Sequence, residues 1–217
     1  MRHVGVIGLG NFGMGLSLEL SRLGLRVTAV DANPEKARDA QAHVAQALVA
    51  DATDAAAVAA LGVERMAAVV VSLGGHMETS ILAVLHLSRL GVPEIVAKAL
   101  GEDHAEILSR VGATQVVFPE KDMALRLALR LSSQTVLDYL SLTSGLSVVE
   151  LAPTREMTGK TLAQLALGRE SGIQVLAVRE LVPDRVIIAP RAEQVVKDSD
   201  ILVVMGPEER IARLREG

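Results

Sequence analysis

Short apolar segments alternate with helix-length segments along the first 118 residues, and this alternation restricts the possible folds more than any other feature. Segments typical of strands cover residues 4–7, 26–30, 47–49, 67–72, 94–98 and 115–118. Residues 11–23, 77–90 and 103–111 carry apolar positions at helical spacing, and Asn33-Pro34 and Asp54 are predicted to begin two further helices. Helix-length connections join parallel strands by right-handed crossovers. The pattern therefore predicts an α/β domain with a doubly wound parallel sheet.

The composition is consistent with strands that are covered on both faces. Half of the 217 residues are hydrophobic, yet Phe12, Phe118 and Tyr139 are the only aromatic ones. The core must therefore be aliphatic, as in parallel sheets buried on both sides. Platforms that bind carbohydrate or single-stranded nucleic acid by ring stacking are excluded. The formal net charge of −4 also disfavours nucleic-acid binding.

The absence of cysteine excludes disulfides, thiolate catalysis and Cys-based zinc sites. The five histidines show no HxxxH or HExxH spacing, so we expect no His-based metal site. The apolar stretches are far shorter than the ~20 residues that span a bilayer. No signal peptide precedes the first predicted strand. We therefore expect a soluble, intracellular protein.

A G-x-G-x-x-G motif at residues 8–13 follows the first strand and opens the first helix. In this context Gly8 permits a tight turn, Gly10 lets a pyrophosphate approach the backbone, and Gly13 lets the helix pack against the strand. Asp31 ends the second strand 23 residues after Gly8, close to the ~20 expected of an acidic residue that binds ribose hydroxyls. Such a carboxylate repels a 2′-phosphate, so NADP is disfavoured. These features predict a Rossmann-like nucleotide site.

Further candidates stand where later strands end. Asp51 follows the third strand, where it either binds adenosine or forms a turn, whereas Asp54 is predicted to be a helix cap. Ser72 and Gly74 follow the fourth strand, where the strand order is expected to reverse and ligands bind. Lys98 ends the fifth strand and either reaches a phosphate or is a solvated charge. The predicted nucleotide-binding residues are Gly8, Gly10, Asn11, Phe12, Gly13, Asp31, Asp51, Ala52, Thr53, Ser72, Gly74 and Lys98.

The strand–helix alternation ends at Pro119. Residues 120–140 are predicted to form one helix of roughly twenty residues, either a domain connector or an arm that contacts a partner. Strands are then expected at 148–151, 173–178, 186–189 and 201–205, with helices at 161–167 and 208–214. Strands that follow one another without helices favour a small α+β module. We predict a Rossmann-like domain at residues 1–140, including the long helix, and a small α+β domain at residues 141–217.

The second domain offers little chemistry for an enzyme. Gly159-Lys160-Thr161 resembles the end of a P-loop, but Thr154 stands where a glycine is required, so we expect a turn and a helix start. Residues 147–217 contain no histidine, and Thr143 stands where a Tyr-x-x-x-Lys pair from Tyr139 needs lysine. A nucleotide-binding domain joined to an inert module is typical of a sensor rather than a dehydrogenase.

Several segments resemble the cytosolic regulatory subunits of Ktr/Trk-type potassium uptake systems, which consist of an RCK N-terminal domain, a connecting helix and an RCK C-terminal domain. The resemblance covers essentially the whole chain, and its most specific element is the proline-glutamate pair that opens the connecting helix. The matching segments are residues 6–13, 29–31, 51–53, 119–123, 148–151, 159–162 and 172–175.

The resemblance implies a non-enzymatic gating subunit at the inner face of the cell membrane. Such proteins form dimers that assemble into an octameric ring beneath a membrane potassium-translocating subunit, and ATP or ADP, or NAD(H), controls the ring. Glu120 would hold a divalent cation at the dimer contact, although a glutamate at a helix start is also ordinary. Cyclic di-AMP, which binds the C-terminal domain of some relatives, would contact Ile173, Val175 and Pro190.

One difference from these regulatory subunits affects which nucleotide is expected to bind. They usually carry an arginine where this chain has Asn11, and that arginine contacts the terminal phosphate of ATP. Asparagine supplies no charge, so NAD(H) or ADP gains weight as the ligand. Two alternatives stay open, an NAD-dependent oxidoreductase and a regulatory subunit of another cation transporter.

Overall fold

A computed structural model describes residues 2–75, 77–132, 136–143 and 145–214. By its internal contacts the chain divides into two compact units, Met1–Pro119 and Glu120–Gly217. The helix that begins at Pro119 is thus grouped almost entirely with the second unit, whereas the predicted first domain, residues 1–140, included it.

The first unit contains a six-stranded sheet whose strands are all parallel, in the order β3-β2-β1-β4-β5-β6. This is the predicted doubly wound, Rossmann-like arrangement, and the strand order reverses between β1 and β4, as expected. The strands are β1 His3–Ile7, β2 Arg26–Asp31, β3 Gln46–Val49, β4 Ala68–Val71, β5 Ile95–Lys98 and β6 Gln115–Val117.

Both faces of this sheet are buried. In β4, Val69 and Val71 belong to one hydrophobic cluster and Val70, between them, belongs to another. Strand β1 alternates in the same way, with Ile7 in the first cluster and Val6 in the second. Because successive strand side chains point to opposite faces, an uninterrupted apolar strand has to be covered on both sides.

Five α-helices connect these strands: α1 Asn11–Arg22, α2 Pro34–Gln41, α3 Ala55–Ala60, α4 Met77–Arg89 and α5 Glu102–Arg110. A 3₁₀ turn, Val63–Arg65, follows α3. Two predicted caps are confirmed, because Asn33 accepts a hydrogen bond from the Glu35 N–H and Asp54 accepts one from the Ala56 N–H. The caps fix where α2 and α3 begin, and with them the turns at the carboxyl end of the sheet.

The second unit contains a five-stranded antiparallel sheet in the order β10-β9-β11-β8-β7. Its core is aliphatic and includes Val149, Leu151, Val178 and Leu202. The α+β character predicted for this part of the chain is confirmed. Its elements are α6 Pro119–Leu131, β7 Val136–Thr143, β8 Leu146–Leu151, α7 Leu162–Leu165, α8 Leu167–Glu170, β9 Gln174–Leu181, β10 Asp184–Ile188, β11 Asp200–Pro207 and α9 Glu208–Leu214.

The prediction of one helix over residues 120–140 is wrong. Helix α6 ends at Leu131, and the segment Val136–Thr143 is strand β7, paired antiparallel with β8. The apolar spacing in this region suits a helix, but pairing with a strand that follows in the chain overrides that local preference. Residues 133–135, which the predicted helix also included, lie outside the described residues.

None of the helices in the described ranges combines the length and the apolar character that crossing a membrane requires.

Candidate functional site

Two turns meet at the carboxyl end of the parallel sheet, where the strand order reverses. The turn after β1 begins with Gly8, whose N–H donates to the carbonyl of Val30 at 2.8 Å. The turn after β4 begins with Ser72, whose N–H donates to the carbonyl of Ile7 at 2.7 Å. Crevices at this position bind ligands in doubly wound folds.

Two of the three glycines in the first turn leave no room for a side chain, and the third leaves room for one. Gly8 has φ +94°, and a Cβ on it would lie 2.6 Å from the Ser72 carbonyl oxygen. A Cβ on Gly13 would overlap the carbonyl oxygen of Gly8. A Cβ on Gly10 would meet nothing within 4 Å. Gly8 and Gly13 are therefore required by the fold itself, whereas the space beside Gly10 is open for a ligand.

Helix α1 starts directly from this turn. Its N-cap, Gly10, provides no side-chain hydrogen bond to the first helical N–H groups. Asn11 is exposed and Phe12 is partly buried in the first turn of the helix. A twelve-residue helix with an uncapped start offers unpaired N–H groups and a partial positive charge to an anion.

Asp31 lies at the end of β2 and is 9% exposed. One of its carboxylate oxygens, Oδ2, accepts a hydrogen bond from the Leu9 N–H at 2.7 Å, and Oδ1 accepts one from the Asn33 N–H at 2.8 Å. The side chain thereby ties the glycine turn to the start of α2. Each carboxylate oxygen accepts more than one hydrogen bond, so Asp31 retains capacity for ribose hydroxyls.

The turn after β3 is organised by Asp51. Its Oδ1 accepts hydrogen bonds from the Thr53 N–H at 2.9 Å and from the Thr53 hydroxyl at 2.7 Å, and both bonds lower the pKa of the Asp51 carboxyl. Ala52 is buried, and the Ala50 N–H donates to the Asp31 carbonyl at 3.2 Å. The structure thus gives Asp51 a turn-forming role beside the end of β2, and contact with adenosine remains a prediction.

Ser72, Gly74 and Lys98 extend the cluster along the sheet edge. Ser72 is buried, and its Cβ would lie 3.3 Å from a Cβ on Gly13. The Lys98 ammonium lies 3.7 Å from the position of a Cβ on Gly74, although the lysine itself is only 9% exposed. The turn after β4 therefore has the glycine turn on one side and a lysine on the other.

The remaining predicted site residues lie in the second unit. Glu120 is exposed in the first turn of α6, and its proposed cation stays a prediction. No cluster of three acidic, histidine or cysteine side chains suitable for a metal ion occurs among the residues that the structure describes. Ile173, Val175 and Pro190, by contrast, line one cavity of about 230 Å³.

Two features beside the sheet edge have no recognisable signal in the sequence. The Lys36 ammonium lies 3.7 Å from Oδ2 of Asp31. Lys36 is in helix α2, where a lysine is common and does not indicate a binding site. His104 is buried: its Nδ1 accepts from the Leu100 N–H at 3.1 Å, and its Nε2 lies 2.9 Å from the Ser80 hydroxyl. Burial lowers the pKa of His104. The His104–Ser80 contact links α5 to α4, and no sequence spacing signals it.

The sequence matches two protein-domain families in tandem. The TrkA-N domain family matches residues 4–119, and the TrkA-C domain family matches residues 146–216. These ranges correspond to the parallel-sheet unit and to most of the antiparallel-sheet unit.

Three named relatives are similar along nearly their whole length. Ktr system potassium uptake protein A of Bacillus subtilis (strain 168) is 34% identical over 212 residues, 98% of this chain and 95% of that protein. Ktr system potassium uptake protein C of the same organism is 35% identical over 215 residues, 99% of this chain and 96% of that protein. Ktr system potassium uptake protein A of Vibrio alginolyticus is 34% identical over 211 residues, with coverages of 97% and 95%.

Solved structures share the fold at lower identity. The GsuK RCK domain has a TM-score of 0.68 at 21% identity and covers 99% of this chain. The GsuK channel bound to NAD also has a TM-score of 0.68 at 21% identity and covers 98% of this chain. The matches span 47% and 38% of those two solved chains, so this chain corresponds to less than half of each.

Proposed function

The chain belongs to the family of TrkA-N and TrkA-C domain proteins that includes the Ktr system potassium uptake proteins, and from this membership we propose that it is a nucleotide-sensing regulatory subunit of a potassium uptake system. One observation carries the proposal. The glycine turn, Asp31 and Ser72 meet at the carboxyl end of the parallel sheet, the position at which doubly wound folds bind ligands, in a chain that is similar to Ktr proteins over 98–99% of its length.

In the proposed function, the protein senses its ligand and does not transform it chemically. The relatives are potassium uptake proteins rather than dehydrogenases. Tyr139, the one tyrosine of the chain, donates its hydroxyl hydrogen to Glu208 within the second unit. A hydride-transfer enzyme needs a positioned acid or base beside its cofactor. The cluster at the edge of the parallel sheet supports binding alone.

The proposed ligand is an adenine nucleotide, with its ribose at Asp31 and its phosphates at the start of α1. Gly10 leaves room for the phosphates, and uncapped N–H groups are available there. Asn11 supplies no charge to a terminal phosphate, which favours NAD(H) or ADP over ATP. A solved channel with the same fold has been described bound to NAD.

Two further ligands belong to the proposal. A divalent cation at Glu120 requires donors from another subunit, since no metal cluster forms among the described residues. Cyclic di-AMP is proposed at the cavity lined by Ile173, Val175 and Pro190. At about 230 Å³ this cavity is smaller than typical small-molecule sites, so it would hold half of a cyclic dinucleotide while a second copy of the chain holds the rest.

The proposed partners are a membrane potassium-translocating subunit and further copies of this chain, arranged as dimers in an octameric ring at the inner face of the membrane. Exposed apolar side chains support self-association. Met123 and Leu131 on α6 are 58% and 73% exposed. Apolar side chains grouped on an uncovered helix face are typical of protein interfaces.

A plain absorbance spectrum tests nucleotide binding. With one tyrosine and no tryptophan, the protein absorbs weakly near 280 nm, so a co-purifying adenine nucleotide would dominate the spectrum near 260 nm. Mass spectrometry of the released compound then identifies it. Protein that carries no nucleotide, and whose melting temperature none of ATP, ADP, NAD and NADH raises, would contradict the proposed ligand.

Complementation tests the regulatory role. We expect the chain, co-expressed with a Ktr-type membrane subunit, to restore growth at low potassium to bacteria that lack their own uptake systems. Asp31→Ala should weaken nucleotide control of that growth. Restoration of another cation's transport, but not of potassium uptake, would favour the alternative that the chain regulates a different transporter.

A further inference from the structure

A second cavity lies in the antiparallel-sheet unit and belongs to none of the sites described so far. It has a volume of about 350 Å³ and is bounded by the loop before α7, by the helices α7 and α8, and by the final helix α9. We call it the basic cavity, after Lys160 and Arg213, which line it from two distant parts of the chain. Its volume is within the range of small-molecule sites.

The positive charge of the basic cavity is only partly neutralised by the protein. Among the described residues neither Lys160 nor Arg213 forms an ion pair. Glu156 is the only acidic residue of the lining, so the lining carries a net charge of +1. Lys160 and Arg213 are both exposed, and two cations that converge on one cavity attract an anion.

Neutral hydrogen-bond donors stand beside these cations. Thr154, Ser171 and Gln164, whose side chains carry two hydroxyls and an amide, line the same cavity. Gln164 is oriented by a capping box, in which its Oε1 accepts a hydrogen bond from the Thr161 N–H at 2.9 Å. This bond occupies the acceptor end of the amide and leaves its two N–H donors for another group.

The rest of the lining is apolar. Met157 and Leu167, which are 6% and 8% exposed, form part of the hydrophobic core of the unit and also line the basic cavity. A site with cations, hydroxyls and an apolar wall suits a ligand with an anionic head and a short hydrocarbon body. Inorganic ions alone would leave the apolar wall uncovered.

We propose that the basic cavity binds a small organic anion, either a carboxylate or a phosphate monoester, whose head contacts Lys160 and Arg213 and whose hydrocarbon body packs against Met157 and Leu167. Through this ligand the second unit would respond to a small molecule other than the nucleotide proposed for the first unit. The inference rests on the lining of the cavity and does not require the proposed nucleotide site.

Titration calorimetry on the full chain tests this proposal. The protein is first saturated with NAD, or with whichever nucleotide it retains, so that the glycine turn is not available to the added anion. Butyl phosphate and pentanoate are the probes, and the tighter of the two identifies the head group. Inorganic phosphate, which has the charge without the hydrocarbon, should bind more weakly than butyl phosphate.

Four single substitutions give the test its specificity. Lys160→Gln and Arg213→Gln should each weaken binding of the better probe by about 1.5- to 5-fold, the range for a solvent-exposed charged contact. Glu156→Gln should strengthen it, because the like charge is removed. Arg155→Gln is the matched control, since Arg155 is exposed on the same loop but does not line the cavity.

The proposal is overturned if neither organic anion binds saturably in the millimolar range. It is also overturned if Arg155→Gln weakens binding as much as the two cavity variants, which would indicate unspecific charge attraction. The affinity of each variant for the nucleotide, measured in parallel, should equal that of the wild type. Loss of anion binding with retained nucleotide binding separates this site from the proposed nucleotide site.

Discussion

At the scale of single residues, Asp31 combines a structural role with the predicted ligand contact. Its two oxygens accept the Leu9 and Asn33 N–H groups, so the carboxylate holds the backbone against which a nucleotide would lie. Removal of the side chain therefore affects both the turn and the ligand. These two hydrogen bonds hold Asp31 beside the glycine turn.

We expect Asp31→Ala to weaken nucleotide binding by about 1–3 kcal/mol, or about 5- to 150-fold, because polar partners lose a charged acceptor. Calorimetric titration of the retained nucleotide measures the loss. Asp54→Ala is the control: it removes the cap of α3 and should cost about 0.5–2 kcal/mol of stability without a change in affinity. Equal nucleotide affinity in wild type and Asp31→Ala would mean that the ribose lies elsewhere.

Three glycines of one helix start should respond differently to the same added methyl group. Gly13→Ala should lower both the melting temperature and the nucleotide affinity, because its Cβ overlaps the Gly8 carbonyl. Gly10→Ala should fold normally but bind weakly, because its Cβ occupies only the space proposed for the phosphates. Gly15→Ala, which also meets nothing within 4 Å, should bind normally and melt slightly higher.

Thermal unfolding and calorimetric titration of these three variants separate the two effects. If Gly10→Ala binds as tightly as Gly15→Ala, the phosphates do not approach the backbone at Gly10.

The candidate site was predictable at this scale where its geometry depends on the backbone. Gly8, Gly13 and Asp31 are recognisable because tight turns and strand ends impose a fixed spacing. Lys36 was not, because its approach to Asp31 depends on how α2 packs after the turn. His104 and Ser80 meet through the packing of two helices, which a single sequence does not encode as a spacing.

At the scale of secondary-structure elements, the prediction fails where local periodicity and long-range pairing disagree. Met123, Leu127 and Leu131 follow one another at four-residue intervals, and α6 does contain them. The same apolar richness continues into β7, where Leu140 pairs with Val148 of β8. The Arg126 guanidinium binds the Asp138 carboxylate across this boundary and lowers its pKa. Pairing with β8, not local propensity, determines that residues 136–143 form a strand.

Within β9, Glu180 makes the stability of the antiparallel sheet depend on pH. The Arg185 guanidinium donates a hydrogen bond to the Glu180 carboxylate, and the Lys197 ammonium donates another at 2.7 Å. These bonds lower the pKa of Glu180 from 4.5 to about 2. A lowered pKa in the folded state stabilises the protein fully above pH 4.5, and this stabilisation is lost as the pH falls towards about 2.

We therefore expect Glu180→Gln to be less stable than the wild type at neutral pH, with a difference that shrinks as the pH falls below about 4.5. Urea unfolding over this pH range measures the difference. Asp184→Asn is the control, because its ion pair with Arg179 is exposed and spans 3.7 Å, so it should change stability little at any pH. A difference for Glu180→Gln that is independent of pH would exclude the charged contacts as its cause.

At the scale of the whole molecule, each unit has a core of its own, but α6 buries none of its residues. The apolar side chains at positions 123, 127 and 131 form one stripe along this helix, because residues four apart lie on the same face. A helix with an uncovered stripe gains little from burial within its own chain. Contact with a second copy would supply that burial, which is the self-association that we propose.

Charge introduced into the stripe should prevent this contact. Leu127→Glu combined with Leu131→Glu should shift the protein towards monomers in sedimentation velocity experiments. The reason is that the contact between two copies would bury two carboxylates between helices. Leu127 and Leu131 are 43% and 73% exposed, so the double variant should fold and bind nucleotide as the wild type does. Leu23→Glu, at an exposed position (76%) in the first unit, is the matched control and should leave the oligomer unchanged. A wild type that is monomeric at micromolar concentration would contradict this prediction. A double variant that sediments as an oligomer of the same size as the wild type would also show that the α6 stripe does not form the contact between copies.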